Sequence, residues 1–230
     1  MKKVSLTFDN GPTPGITEPI LDTLDAFGVK ATFFLVGQQL IQPAARALAE
    51  RAFAKGHRIG NHSFSHGEPL GLQTEAGAAA REIQQMHELL GPLAGAEPLY
   101  RPNGRGSMGP HLLNAEAVET LCAMGASVVL WTSIPRDRSA VVDRPDRWLE
   151  DAQRKITESE WTLMVLHDRP SGFPPPGPMA FLADFLRWAT PRVEFRLDFP
   201  PDCVPLEKGQ PKPWLRRFVT DGQRTADGGC

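Results

Sequence analysis

Residues 31–37 read ATFFLVG, a continuous apolar run of the kind a strand shows when both of its faces are covered. The sequence on either side agrees with that reading. Upstream, VSLTF (4–8) reads as a strand and ITEPILDTLDAF (16–27) as a helix that Gly28 ends. Downstream, QPAARALAERAFAKG (42–56) is a helix closing at another glycine, and HRIGN (57–61) is a short strand. The alternation continues with a helix over TEAGAAAREIQQMHELLG (74–91), a strand at PLYR (98–101) and a helix over 111–124. SVVLW (127–131), TLMVL (162–166) and VEFRL (193–197) are further strands, with helices over 146–158 and 178–190 between them. About seven strands alternating with about six helices imply parallel strands joined by right-handed crossovers. A doubly wound sheet and a barrel both satisfy this pattern. The loop DNGPTPG after the first strand lacks the GxGxxG spacing of a dinucleotide site, and no P-loop is present. Asp9, His62, Arg101 and His167 each follow a strand, and a barrel gathers such ends on one face, where its active sites lie. The expectation is therefore an α/β barrel.

A chain of 230 residues suits one domain, and its 41% apolar and 23% charged content is ordinary for a soluble globular protein. The net charge of −2 speaks against a nucleic-acid or anionic-membrane partner. No run of eighteen apolar residues is present, so no membrane span is expected. The N-terminal MKKVSLTFDN passes directly into a strand without an apolar segment, from which a cytoplasmic location is expected. Cys122, Cys203 and Cys230 are widely spaced with no CxxC, which reads as reduced thiols. SGFPPPGP (171–178) is a stiff, polyproline-like loop beside a strand end. The barrel is assigned to residues 1–200. Residues 201–230 are set apart as a proline- and charge-rich tail, partly mobile, in which Trp214 and Phe218 are candidates to dock.

Three of the six histidines fall within KGHRIGNHSFSH (55–66). His62 and His66 stand four apart, so on a helical turn both imidazoles would share a face and suit zinc or another first-row metal. Alternatively, they are a surface pair on a loop. Asp9 in TFDN (7–10) is either a turn residue or a functional carboxylate. Arg101 in LYRPNG (99–104) either pairs at the surface or holds a buried carboxylate in its ionised form. His167 ends an apolar strand in VLHD (165–168), pointing to a barrel mouth as a structural or a catalytic group. Asp137 in WTSIPRD is placed to orient it.

The succession TFDN–GPTPGITEPILDTL, GVKATFFLVG, GHRIGNHSFSH, YRPNG, WTSIPRD and LMVLHD resembles the polysaccharide deacetylase family, the NodB-like carbohydrate esterases of family 4, from residue 4 to about 170. The resemblance implies a distorted seven-stranded, TIM-like (β/α) barrel and metal-dependent hydrolysis of N-acetyl groups on amino sugars. It implies Asp9 as general base, His167 as general acid, Arg101 as the tether of Asp9 and Asp137 as the partner of His167. The implied metal set is Asn10, His62 and His66, holding a divalent ion, zinc first and cobalt or nickel as alternatives. Gly104 would supply a backbone donor to the oxyanion, and Val165, Leu166 and Trp131 would contact substrate.

The chain departs from the family pattern at three places. Asn10 stands where an aspartate ligand is usual, so the ion would keep its full charge and bind less tightly. Ile134 and Arg138 replace an aspartate and a tryptophan common in the fourth motif. YRPNGRGS lacks the usual tyrosine after the prolines. Arg105 and Arg138 add positive charge near the expected mouth, which suits an anionic N-acetyl sugar. The expected partner is an amino sugar or, on the same fold, a small non-peptide amide. A non-catalytic barrel that binds carbohydrate or a partner is the third reading.

Overall fold

β1 (Lys2–Asp9) organises the molecule, because its two faces meet two different environments. Val4, Leu6 and Phe8 pack with α1 (Thr17–Ala26) and the other outer helices, whereas Ser5, Thr7 and Asp9 alternate onto the interior face. The structure is a computed structural model that describes residues 1–137, 144–175 and 177–220.

Crossing from β1, the chain forms β2 (Thr32–Leu35), α2 (Gly37–Leu40), α3 (Pro43–Ala54) and β3 (Arg58–Asn61). Pro43 opens α3, where its missing N–H costs nothing. Gly56, with φ +83°, ends that turn in a left-handed conformation. After α4 (Gln85–Leu90) come β4 (Leu99–Tyr100), α5 (Ala115–Ala123) and β5 (Ser127–Val128). Asn114 caps α5 by accepting from the Ala117 N–H at 2.8 Å. α6 (Trp148–Glu158), β6 (Trp161–His167), α7 (Leu182–Ala189) and β7 (Val193–Phe195) follow.

The sheet runs β6-β1-β2-β3-β4-β5, all parallel, and β7 pairs in parallel with the start of β1. A parallel bridge between Ser133 and Met164 joins the chain after β5 to β6 and closes the ring. The result is a distorted seven-stranded (β/α) barrel, as the sequence implies. Register levels the strand ends: Asp9 lies beside His167 and Phe34, Leu35 beside Asn61, Asn61 beside Tyr100. The residues that follow these positions therefore emerge together at one mouth.

Several elements differ from their sequence reading. The segment 74–91 is not one uniform α-helix; a π turn at Ala80–Gln84 precedes α4. The Glu82 carbonyl accepts from the Phe64 N–H, and the Ile83 carbonyl from Asn61 Nδ2. Bonds from outside thus pull these carbonyls from the helical ladder. The strand expected at 127–131 stops at Val128, and the Leu130 N–H turns to the Cys203 carbonyl at 2.8 Å. The boundary expected at residue 200 does not end the fold. β8 (Leu206–Glu207) pairs antiparallel with β5, and β9 (Gln210–Pro211) pairs with β8. Trp214 and Phe218 pack edge to face against the same core as Leu206. Residues 221–230 of the expected tail lie outside the described residues.

Candidate active site

Asp9 is the last interior-facing residue of β1, and Arg101 emerges beside it just after β4. Arg101 is fully buried. Its Nη1 donates to Asp9 Oδ1 at 2.8 Å and to Thr7 Oγ1 at 2.7 Å. Nε and Nη2 donate to the carbonyls of Val129 and Leu130, and the guanidinium lies over the Phe34 ring at 4.0 Å. A buried cation persists only with such partners. One Asp9 oxygen is thereby occupied. The other, Oδ2, stands 3.7 Å from His62 Nε2.

His62 follows β3 and is buried. Its Nδ1 donates to the Arg101 carbonyl at 2.8 Å, which leaves the lone pair on Nε2. Burial lowers its pKa, so the ring is neutral and the contact with Asp9 is not an ion pair. The His66 ring lies 4.9 Å from that of His62. Burial, and secondarily His62, push its pKa down to about 3. The pairing does not come from a helical turn. Residues 62–66 form a loop in which Ser63 (φ +68°) and His66 (φ +53°) are left-handed. The Ser63 N–H bonds to Asn61 Oδ1, the His66 N–H to Ser63 Oγ, and Ser65 donates twice to the Glu82 carboxylate.

Asn10 is also left-handed, at φ +80°. Its Oδ1 is buried without a hydrogen-bond partner, an acceptor that water or protein normally satisfies. An orphaned amide oxygen beside two neutral imidazoles fits a divalent cation. Among the described residues no group of three His, Cys, Asp or Glu is arranged for a metal.

His167 ends β6 on the far side of Asp9. Its Nδ1 meets Asp137 Oδ1 at 2.9 Å, while Asp137 Oδ2 accepts the His167 backbone N–H at 2.7 Å. That clamp fixes the imidazole, so Nε2 is the nitrogen that can exchange a proton with a substrate.

Asp9, Asn10, His62, His66, Asp137 and His167 line one cleft of about 390 Å³, together with Gly104, Trp131, Ile134 and Val165, while Arg101 lies buried behind Asp9. Gly104 is sterically required: a Cβ there would meet Trp131 Cη2 at 2.6 Å. Leu166 does not line the cleft. It alternates to the outer face of β6 and packs with the helices, while Val165 faces inward with Trp131. Arg105 sits at the mouth, 3.5 Å from Glu68, and Arg136 is held by Asp151 through two bonds. Arg138 lies outside the described residues.

The sequence reading missed two residues. Asp168 is fully buried; its Oδ2 accepts from Thr17 Oγ1 at 2.9 Å and burial raises its pKa to about 7. A Cβ on Gly11 would lie 1.9 Å from that oxygen, so the loop carrying Asn10 packs directly on Asp168. Asp168 stands directly after His167 in the HD pair, the one available signal. The second, Asn103, gives no sequence signal at all.

The chain matches the family model described as polysaccharide deacetylase over residues 1–120. It is 31% identical over 182 residues to the chitooligosaccharide deacetylase of Bradyrhizobium sp., covering 76% of this chain and 73% of that protein. It is 45% identical over 65 residues to the peptidoglycan N-acetylglucosamine deacetylase of Listeria monocytogenes, covering 28% of this chain and only 14% of the length of that relative. Among solved structures, a family 4 acetyl xylan esterase from Clostridium thermocellum in complex with a cobalt ion superposes with a TM-score of 0.66 at 25% identity, over 85% of this chain and 87% of that one. By its family model, its barrel and the relative it matches over most of both lengths, the chain belongs to the polysaccharide deacetylase family.

Proposed function

We propose that this protein is a metal-assisted amide hydrolase that removes the N-acetyl group from an acetylated amino sugar. The observation that carries this reading is that two paired groups, Asp9 with Arg101 and His167 with Asp137, stand at adjacent strand ends in one cleft with the two neutral imidazoles and with Asn10, whose side-chain oxygen is orphaned. The names of the matched relatives, deacetylases of chitooligosaccharide and of peptidoglycan, support the substrate class.

Asn10 Oδ1, His62 Nε2 and a His66 ring nitrogen would hold a divalent ion, for which we favour zinc, with cobalt as an alternative. When bound, such an ion supplies Lewis acidity to the amide carbonyl and lowers the pKa of the attacking water. Asp9 accepts that water's proton through Oδ2, since Arg101 occupies Oδ1. The Gly104 N–H stabilises the oxyanion. The Ser107 N–H fixes the orientation of the Gly104 loop by binding the Gly104 carbonyl at 2.9 Å. His167 Nε2 protonates the departing amine while Asp137 stabilises the imidazolium. The acetyl methyl packs against Val165 and Trp131.

Acetate release from chito-oligosaccharides, soluble acetamido sugars and simple amides, with and without added zinc or cobalt, tests this reading. Metal-stimulated release from the sugars is expected, and Asp9→Asn should reduce it by about 10²–10⁴-fold while still binding metal. Turnover of simple amides alone would replace the sugar with a small-amide substrate. Undiminished turnover in Asp9→Asn would remove Asp9 as the base.

A further inference from the structure

Two loops meet above the cleft. One carries His66 in a left-handed conformation, followed by the exposed Gly67 and Glu68. The other carries Gly104. A single buried side chain spans them. Asn103 Nδ2 donates to the Gly67 carbonyl at 2.6 Å and reaches the His66 carbonyl at 3.4 Å, while its Oδ1 accepts the Arg105 N–H at 3.2 Å. The amide is 8% exposed, and both of its ends are engaged.

We propose that Asn103 is a positioning residue that ties the His66 arm of the metal site to the Gly104 loop, and so sets metal affinity and oxyanion geometry together. The inference rests on the reading of Asn10, His62 and His66 as the metal-binding set. His62 needs no such tie, because it leaves the end of β3 and its Nδ1 is anchored on the Arg101 carbonyl. His66 lies farther along the loop. On its own side it is held by Ser63 Oγ at its N–H, and by Ser65 through the Glu82 carboxylate. Past His66, the bond from Asn103 to Gly67 restrains the chain at the first of its exposed residues. A shorter side chain at 103 cannot span that gap, so the loop would relax outward and carry the His66 ring from His62. The other end of the amide restrains Arg105, itself left-handed at φ +49°, and thereby the peptide that follows Gly104. One amide therefore registers the metal arm against the oxyanion donor, each of its ends engaged by one of the two loops.

Cobalt(II) titrations of the metal-free protein, followed by calorimetry and visible absorption, test this. Asn103→Ala is expected to weaken cobalt binding by about tenfold or more, as loss of partners behind metal ligands does. It is also expected to change the ligand-field absorption bands, with a metal-free melting temperature near that of the unmodified protein. Asn103→Ser, which fills more of the space without reaching Gly67, carries the same test if the alanine variant does not fold. Unchanged affinity and spectrum in a folded variant would overturn the proposal, and a lowered melting temperature alone would reduce the bonds to ordinary structural ones. If the unmodified protein binds no cobalt, the metal-site reading itself fails. That result is distinct from normal cobalt binding by both proteins, which refutes only the role of Asn103.

Discussion

Asn10 is the residue on which the strength of the proposed metal site turns. Its backbone is left-handed, it lines the cleft, and its buried amide oxygen has no hydrogen-bond partner. Asparagine and aspartate both tolerate that conformation, so Asn10→Asp changes charge with little change in backbone strain. A carboxylate beside the cation adds direct Coulomb attraction. The variant is expected to bind zinc or cobalt about tenfold more tightly or better, read by calorimetry. Equal affinity would mean that residue 10 is not a ligand. The sequence makes Asp9, Asn10, His62 and His66 visible because they sit in short motifs at strand ends. It does not make visible how the two histidines meet. A four-residue spacing suggests a helical turn, but the pair is built by two left-handed residues and the serine bonds around them.

At the scale of elements, β6 separates neighbouring side chains onto opposite faces. Val165 and Leu166 are adjacent and similar in character, and only strand pairing decides which one faces the cleft. Leu166 is fully buried among the outer helices. Leu166→Ala is expected to cost about 2–5 kcal/mol in urea unfolding while the folded fraction keeps its KM for an acetylated sugar. Val165→Phe should obstruct the cleft and raise KM. Reversal of these two effects would show that the faces are assigned the wrong way round. The same dependence on pairing explains the π turn before α4. The sequence over 74–91 reads as a continuous helix, and the bonds that disrupt it come from Asn61 and Phe64, about twenty positions upstream.

The whole molecule extends past the boundary its composition suggests. Proline and charge after residue 200 resemble a solvated tail, yet Leu206 is fully buried and β8 covers the edge of β5. That edge strand has only two residues, and the chain after it turns to bond with Cys203 before joining β6. The hairpin therefore covers the weakest part of the ring. A chain ending at Val204 should expose the surfaces around Val128 and Leu130, melt well below the full-length protein and bind a hydrophobic dye. An unchanged melting curve would return residues 205–220 to the status of an appendage.

Much of this protein is legible from local pattern. Runs such as ATFFLVG, helices closed by glycine and polar residues at strand ends encode the parallel barrel and mark its active mouth, because periodicity and turn chemistry act between near neighbours. The remainder depends on register between distant segments: which of Val165 and Leu166 faces the cleft, how Arg101 reaches Asp9 across the barrel, and why Gly11 must leave room for Asp168. Asn103 is the clearest case. Nothing about an asparagine after a proline signals a tie to Gly67, and it becomes one only because β3 and β4 lie side by side and bring their following loops together.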